Sequence, residues 1–173
     1  SFDVCNFFKR RFHIAKVGHT GTLDPQATGV LIILLGRYTR MSSIFTEQRK
    51  TYRGTLRLGI RTDSQDGDGQ VVEEREWSHI SPSDLQKIVP KFRGNLMQKP
   101  PMISAVKYHG KRLYKLARSG KTVERELRPI TVYRFDIEGI RLPHVDFSVE
   151  VSKGTYVRTL AEDFGTALNS TAY

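Results

Sequence analysis

The chain has a single cysteine, Cys5, among its 173 residues, so no disulfide can form within it. That points to a reducing, intracellular setting. No apolar run approaches the length of a bilayer span, and the first residues lack the pattern of a secretory signal. Without such a signal, Asn169-Ser170-Thr171 is read as a chance glycosylation sequon. Acids are scarce relative to bases: 18 Asp plus Glu stand against 28 Lys plus Arg, a net charge of +10. The excess suggests a polyanionic partner. An acidic membrane surface is the other candidate, but no long basic amphipathic helix is there to lie on it. Internal repeats and low-complexity linkers are missing, and the length suits one domain with a real core.

What is present is organised around Gly18-His19-Thr20-Gly21-Thr22-Leu23-Asp24-Pro25-Gln26-Ala27-Thr28-Gly29. Glycines, a proline and small hydroxyl residues make a loop, because glycine supplies unusual backbone angles and proline fixes one. The apolar run Val30–Leu35 that follows predicts a buried strand. Asp24 is the only acid between His19 and Gly36. Standing before Pro25, it is biased to extended geometry that holds the carboxylate outward. It can equally serve as an Asx-turn or cap residue. One acid and one histidine make no metal site, and the Gly-Lys-Ser/Thr ending of a phosphate loop is missing.

The rest of the chain reads as alternating strands and helices. Val4, Phe7, Phe8 and Phe12 recur at helical spacing over residues 1–12, with Lys9, Arg10 and Arg11 at the favourable C-terminal end. A short helical pattern spans Thr39 to Thr46. Lys50 to Gly59 alternates as a half-buried strand, with Tyr52, Leu56 and Leu58 on one face. Tyr52 reads as a strand tyrosine packed in the core with its hydroxyl at the edge. Asp63 to Gln70 is an acidic, glycine-rich turn whose spacing does not fit a calcium loop. Ser81-Pro82-Ser83-Asp84 opens a helix whose buried stripe is Leu85, Ile88 and Val89, bounded by Pro90 and Gly94. Phe147 to Val151 alternates as a strand. Val157, Leu160, Ala161 and Phe164 then predict an amphipathic helix with Gly165 as its stop. Arg158 sits near that helix's positive end, an unfavourable place for a cation, and a surface pair with Glu162 is the simplest partner.

Residues 99–128 are the most basic stretch, with Lys107, Lys111, Arg112, Lys115, Arg118 and Lys121 interleaved with Tyr108, His109 and Tyr114. A solvated helix face would explain part of this. Cations for phosphates and rings for bases also make an RNA surface.

The loop motif Gly-His-Thr-Gly-Thr-Leu-Asp-Pro-x-Ala-Thr-Gly resembles the signature of the TruB family of pseudouridine synthases, and every fixed position matches. Pro100 to Tyr114 resembles the family's Pro-Pro-Met-x-Ser-Ala-x-Lys-x-x-Gly-x-x-Leu-Tyr pattern, and Gly154-Thr155-Tyr156-Val157-Arg158 its Gly-Thr-Tyr-x-Arg motif. The resemblance implies an α+β fold, a mixed, largely antiparallel sheet flanked by helices (the pseudouridine synthase fold), with an inserted basic RNA-gripping segment at about 99–128. It implies a catalytic domain over residues 1–173, truncated at both ends. The Lys-Pro-x-Gly-x-Thr segment that precedes the first helix in the family is not in this sequence, nor is a PUA domain.

By the same resemblance the substrate is uridine-55 in the TΨC loop of tRNA, isomerised to pseudouridine. Asp24 would be the nucleophile, Arg158 its ion-pair partner and Tyr52 the ring against the target uracil. Tyr156 would line the pocket, and His19 would fill the emptied base stack unless it is only a hydrogen-bonded loop histidine. Lys107, Lys111, Arg112 and Lys115 would contact RNA. Isomerisation calls for no redox or hydrolytic step, so neither metal nor cofactor is expected. The expected partner is the T arm of tRNA, with no membrane. The protein is expected as a monomer in the bacterial cytoplasm, an organelle being the open alternative. A guide-RNA-dependent relative acting on ribosomal RNA is the runner-up. That branch typically has Ser at the Thr20 position and Val at the Ala27 position, so this sequence favours the stand-alone branch. A non-catalytic tRNA-binding or chaperone module would need the basic surface but not Asp24, Tyr52 and Arg158 together.

Overall fold

The computed structural model describes residues 1–173, which divide into two compact units, Ser1–Gln48 and Arg49–Tyr173. In the first, helix α1 (Phe2–Phe12) ends on His13, which takes a left-handed conformation (φ 52°). Strand β1 (Val17–His19) pairs antiparallel with β2 (Ile33–Leu35). A 3₁₀ turn (Gly36–Met41) then leads into α2 (Ser42–Thr46).

One expectation fails here. The Val30–Leu35 run is not one buried strand: only Ile33–Leu35 pairs, Leu34 alone is buried, and Val30 is 88% exposed. The partner strand is only three residues long, so it can order no more of the run. Helix α1 forms where its spacing predicts, with an apolar stripe that is mostly exposed and Cys5 as its buried residue. Phe7, Phe8 and Phe12 instead pack on one another, with ring centroids 5.7–6.4 Å apart.

The second unit is built on a four-stranded sheet, antiparallel throughout, in the order β3-β10-β9-β6. Its strands are β3 (Lys50–Arg57), β6 (Gly94–Gln98), β9 (Arg128–Arg141) and β10 (His144–Val151). Between β3 and β6 lie the ribbon β4 (Ile60–Thr62) with β5 (Val71–Glu74), and helix α3 (Pro82–Ile88). Helix α3 starts at a capping box: Ser81 Oγ accepts from the Asp84 N–H, and the Asp84 carboxylate accepts from the Ser81 N–H. One sheet face, with Leu56, Phe135, Phe147 and Val149, packs against α5 (Val157–Ala167) and α3. The Phe164 ring lies 5.3 Å from Phe135 and 5.2 Å from Phe92, within the range of favourable aromatic pairs.

Gly165 does not stop α5, which runs on to Ala167. The glycine is buried where the returning chain crosses, and a Cβ there would stand 2.5 Å from the Thr171 carbonyl carbon. Beyond that crossing, Arg57 N–H donates to Tyr173 O at 2.9 Å and Gly59 N–H to Thr171 O at 2.8 Å.

The basic segment folds as a small hairpin, β7 (Lys107–Tyr108) with β8 (Lys111–Arg112), followed by α4 (Leu113–Arg118). His109 and Gly110 in its turn both have positive φ, 44° and 79°. That is the backbone of a two-residue type I′ hairpin turn.

Candidate functional site

The signature motif forms the long connection between β1 and β2. It is pinned at its ends, where Thr20 N–H donates to Ile32 O at 3.2 Å and Gly36 N–H to Lys16 O at 2.8 Å. Inside it, Ala27 N–H donates to Asp24 O at 3.0 Å, closing a turn with Pro25 at its second position. Proline's fixed φ suits that position. His19 Nδ1 lies 2.5 Å from Gly21 O. A carbonyl can only accept, so the ring donates there, and the histidine braces the loop it belongs to. Leu23 N–H donates to Ser1 Oγ at 3.0 Å, a further tie between loop and helix.

In the second unit, Tyr156 and Arg158 stand at the start of α5. Gln98, 2% exposed at the end of β6, holds both backbone polar groups of Tyr156: its Nε2 donates to Tyr156 O at 3.0 Å, and its Oε1 accepts from Tyr156 N–H at 2.8 Å. The Arg158 side chain is 14% exposed. Its Nη1 donates to Ser64 O at 2.6 Å, and its Nη2 to Ile103 O at 3.2 Å. Asp66 Oδ2 lies 3.7 Å from Nη1.

Arg158 is therefore not a surface partner of Glu162. Side chains on a helix lean toward its N-terminus, so an arginine in the first turn reaches back past the helix start to the 64–66 turn. That turn is itself held. Asp66 Oδ1 accepts from Ser64 Oγ at 2.5 Å and from Asp68 N–H at 3.2 Å, leaving Oδ2 toward the guanidinium. Thr159 Oγ1 donates to Gln65 Oε1 at 2.7 Å, tying the same turn to α5 once more.

Tyr52 lies on β3 opposite Val149 of β10 and is exposed at 37%, so it is not the packed core tyrosine of a half-buried strand: within β3 only Leu56 is buried. Lys107 faces Arg112 across the β7–β8 hairpin, and both are exposed along with Lys111 and Lys115. Like charges directly opposed on a ribbon repel, and an anion laid across them would relieve that repulsion.

Sequence reasoning missed Gln98, Ser64 and Asp66 as supports of the Tyr156–Arg158 corner. The available signal was electrostatic. A cation at a helix N-terminus requires acceptors, and the acidic 63–68 turn had no other assigned use.

The TruB family pseudouridylate synthase (N terminal domain) matches residues 9–157. The chain is 49% identical over 173 residues to "tRNA pseudouridine synthase B" of Geotalea uraniireducens, covering all of this chain and 56% of that protein. It is 46% identical over 168 residues to the protein of the same name from Clostridium tetani, covering 97% of this chain and 58% of the relative. The chain thus spans just over half the length of these curated relatives. Among solved structures, a chain of a Cbf5-Nop10-Gar1 complex superposes with a TM-score of 0.74 at 27% identity, covering 99% of this chain and 42% of that one. A chain of an H/ACA RNP bound to a substrate RNA shares the fold, with a TM-score of 0.70 at 23% identity. With its signature loop, its Tyr156–Arg158 corner and a family match across most of its length, the chain belongs to the TruB family of pseudouridylate synthases.

Proposed function

We propose that this chain is the catalytic part of a tRNA pseudouridine synthase that isomerises uridine-55 in the TΨC loop. The observation that carries the reading is the family match over residues 9–157, joined to relatives named tRNA pseudouridine synthase B at 46–49% identity.

The target base has to leave its stack, which costs a few kcal/mol. The cations of the 107–115 segment supply phosphate contacts to offset that cost, and Tyr52 offers a ring for the extruded uracil. Asp24 acts as the nucleophile on a loop braced at both ends. Arg158 takes the role that the family resemblance implies for it, the cationic partner of that nucleophile. Tyr156 lines the pocket, and His19 occupies the space the base leaves. Tyrosine can also take part in proton transfer, so Tyr52 serves both positioning and acid–base roles. The protein works as a monomer on the T arm, in the cytoplasm of a bacterium.

The test is to incubate the chain with an unmodified tRNA transcript and map pseudouridine along it. Pseudouridine confined to the TΨC loop supports the proposal. Product at another position contradicts the site assignment, and tRNA bound without product favours a binding module.

A further inference from the structure

The basic segment leaves the sheet on two stems. Gln98 of β6 pairs with Arg128 of β9, the last rung of that ladder. Beyond it, residues 99–106 and 121–127 belong to no helix or strand. A side chain joins the two stems: Arg125 Nη1 donates to Pro100 O at 3.1 Å.

Stability does not account for an arginine at this position. Its Nε is buried without a hydrogen-bond partner, and a charged donor taken out of water without an acceptor is costly. An apolar side chain of similar length would fill the space without that cost.

What the bond fixes is the first stem. Pro100 and Pro101 are both buried. Proline locks its own φ and restricts the residue before it, so this stretch is stiff and a constraint at Pro100 O is carried along the chain. Three residues on is Ile103, whose carbonyl accepts from Arg158 Nη2 at 3.2 Å. The same stem begins at Gln98, which holds the backbone of Tyr156.

We propose that Arg125 is a positioning residue: its bond to Pro100 O holds the 98–103 stem where the Ile103 carbonyl meets the Arg158 guanidinium, and so sets Arg158 for the reaction. The inference rests on the function proposed in the preceding section.

The test compares the whole chain with Arg125→Met, which keeps a long side chain and removes the donor, and with Arg125→Lys, which keeps a donor. Single-turnover pseudouridine formation is measured at saturating unmodified tRNA transcript, and tRNA affinity separately. Arg125→Met is expected to slow the reaction about tenfold, the worth of one hydrogen bond from a charged group, with tRNA affinity within about threefold of the parent. Its thermal midpoint should be no lower than the parent's, and Arg125→Lys should regain most of the rate. Arginine NMR of the chain without RNA reads the route. Held by two carbonyls, the Arg158 guanidinium turns slowly and its two Nη groups give separate signals, which merge in Arg125→Met. Arg158→Lys, by removing those signals, assigns them.

An unchanged rate in Arg125→Met overturns the proposal and leaves the function intact. A loss confined to tRNA affinity also overturns it, and makes Arg125 an RNA contact. Slowing matched by a fall in thermal midpoint and not rescued by lysine makes the bond structural only, again overturning it. A slower rate with the Arg158 signals unaltered overturns the route through Ile103. An unaltered chain that forms no pseudouridine overturns the function and this inference together.

Discussion

Gln98 and Tyr156 exchange two hydrogen bonds, with the side-chain amide of one satisfying both backbone groups of the other at 3.0 and 2.8 Å. The pair joins the end of β6 to the start of α5 and sets the point from which Arg158 projects. Replacing Gln98 with Leu leaves the Tyr156 N–H without its partner, while the Tyr156 carbonyl keeps the Leu160 N–H at 3.0 Å. An unpaired buried polar group costs about 1–3 kcal/mol, so Gln98→Leu is expected to lose about that much in urea denaturation. Activity should fall more than stability alone explains.

The Arg158 guanidinium is held by two carbonyls in addition to the carboxylate of Asp66. A lysine is a single point charge and cannot serve that fork. Arg158→Lys is therefore expected to cost far more activity than Asp66→Asn, which leaves both carbonyl contacts in place. Steady-state rates of the two variants, with circular dichroism to show that both fold, check the order.

Gly165 is required by a close approach and not by its backbone angle. A Cβ there would stand 2.5 Å from Thr171 C and 2.6 Å from Ala172 N. Those are backbone atoms that cannot swing aside, and overpacking of this kind costs about 1–3 kcal/mol. Gly165→Ala should lower the thermal midpoint by several degrees and loosen the 171–173 segment in hydrogen exchange.

Burial pushes the Asp163 carboxyl up to about 6, with the neighbouring charge of Glu162 adding to the rise. The folded state therefore holds this proton more tightly than the unfolded chain does. Its effect on stability is neutral below about pH 4. It becomes a growing penalty as pH rises to about 6, and is constant above that. The residue retains solvent access, which discounts the penalty to about 1 kcal/mol. Asp163→Asn should be more stable than the parent at pH 7 by about that amount, with the gain vanishing near pH 4. A pH series of urea midpoints reads this directly.

The exposed hairpin cations Lys107 and Arg112 are expected to act on phosphates. Lys107→Glu should weaken tRNA binding similarly across T-loop sequences and lower the slope of log affinity against log salt. A change that depended on base identity would argue against a phosphate contact.

Much of the second unit was legible because its patterns are local. Alternation marked Lys50–Arg57 and Phe147–Val151, the Ser81/Asp84 box marked the start of α3, and helical spacing marked α5. The failures share a physical cause. Val30 to Ile32 have strand composition but lie outside the β1–β2 register, where Ile32 O accepts only from Thr20 N–H. Gly165 looked like a helix end because the chain that crosses it returns from residues 171–172. The supports of Arg158 come from residues 94 and 55 positions away, a separation that no periodicity encodes. The residues expected to do chemistry were visible through motif order. The groups that hold Arg158 and Tyr156 in place became visible only in the folded chain.

The central claim is that Asp24 is the nucleophile of uridine isomerisation. The measurement that tests it most directly is single-turnover pseudouridine formation in an unmodified tRNA transcript by this chain and by Asp24→Asn, alongside tRNA affinity. The account predicts product in the TΨC loop, a rate reduced at least about a thousandfold by the substitution, and tRNA affinity within a few-fold of the parent. Product formed by Asp24→Asn at a rate near that of the parent would contradict it.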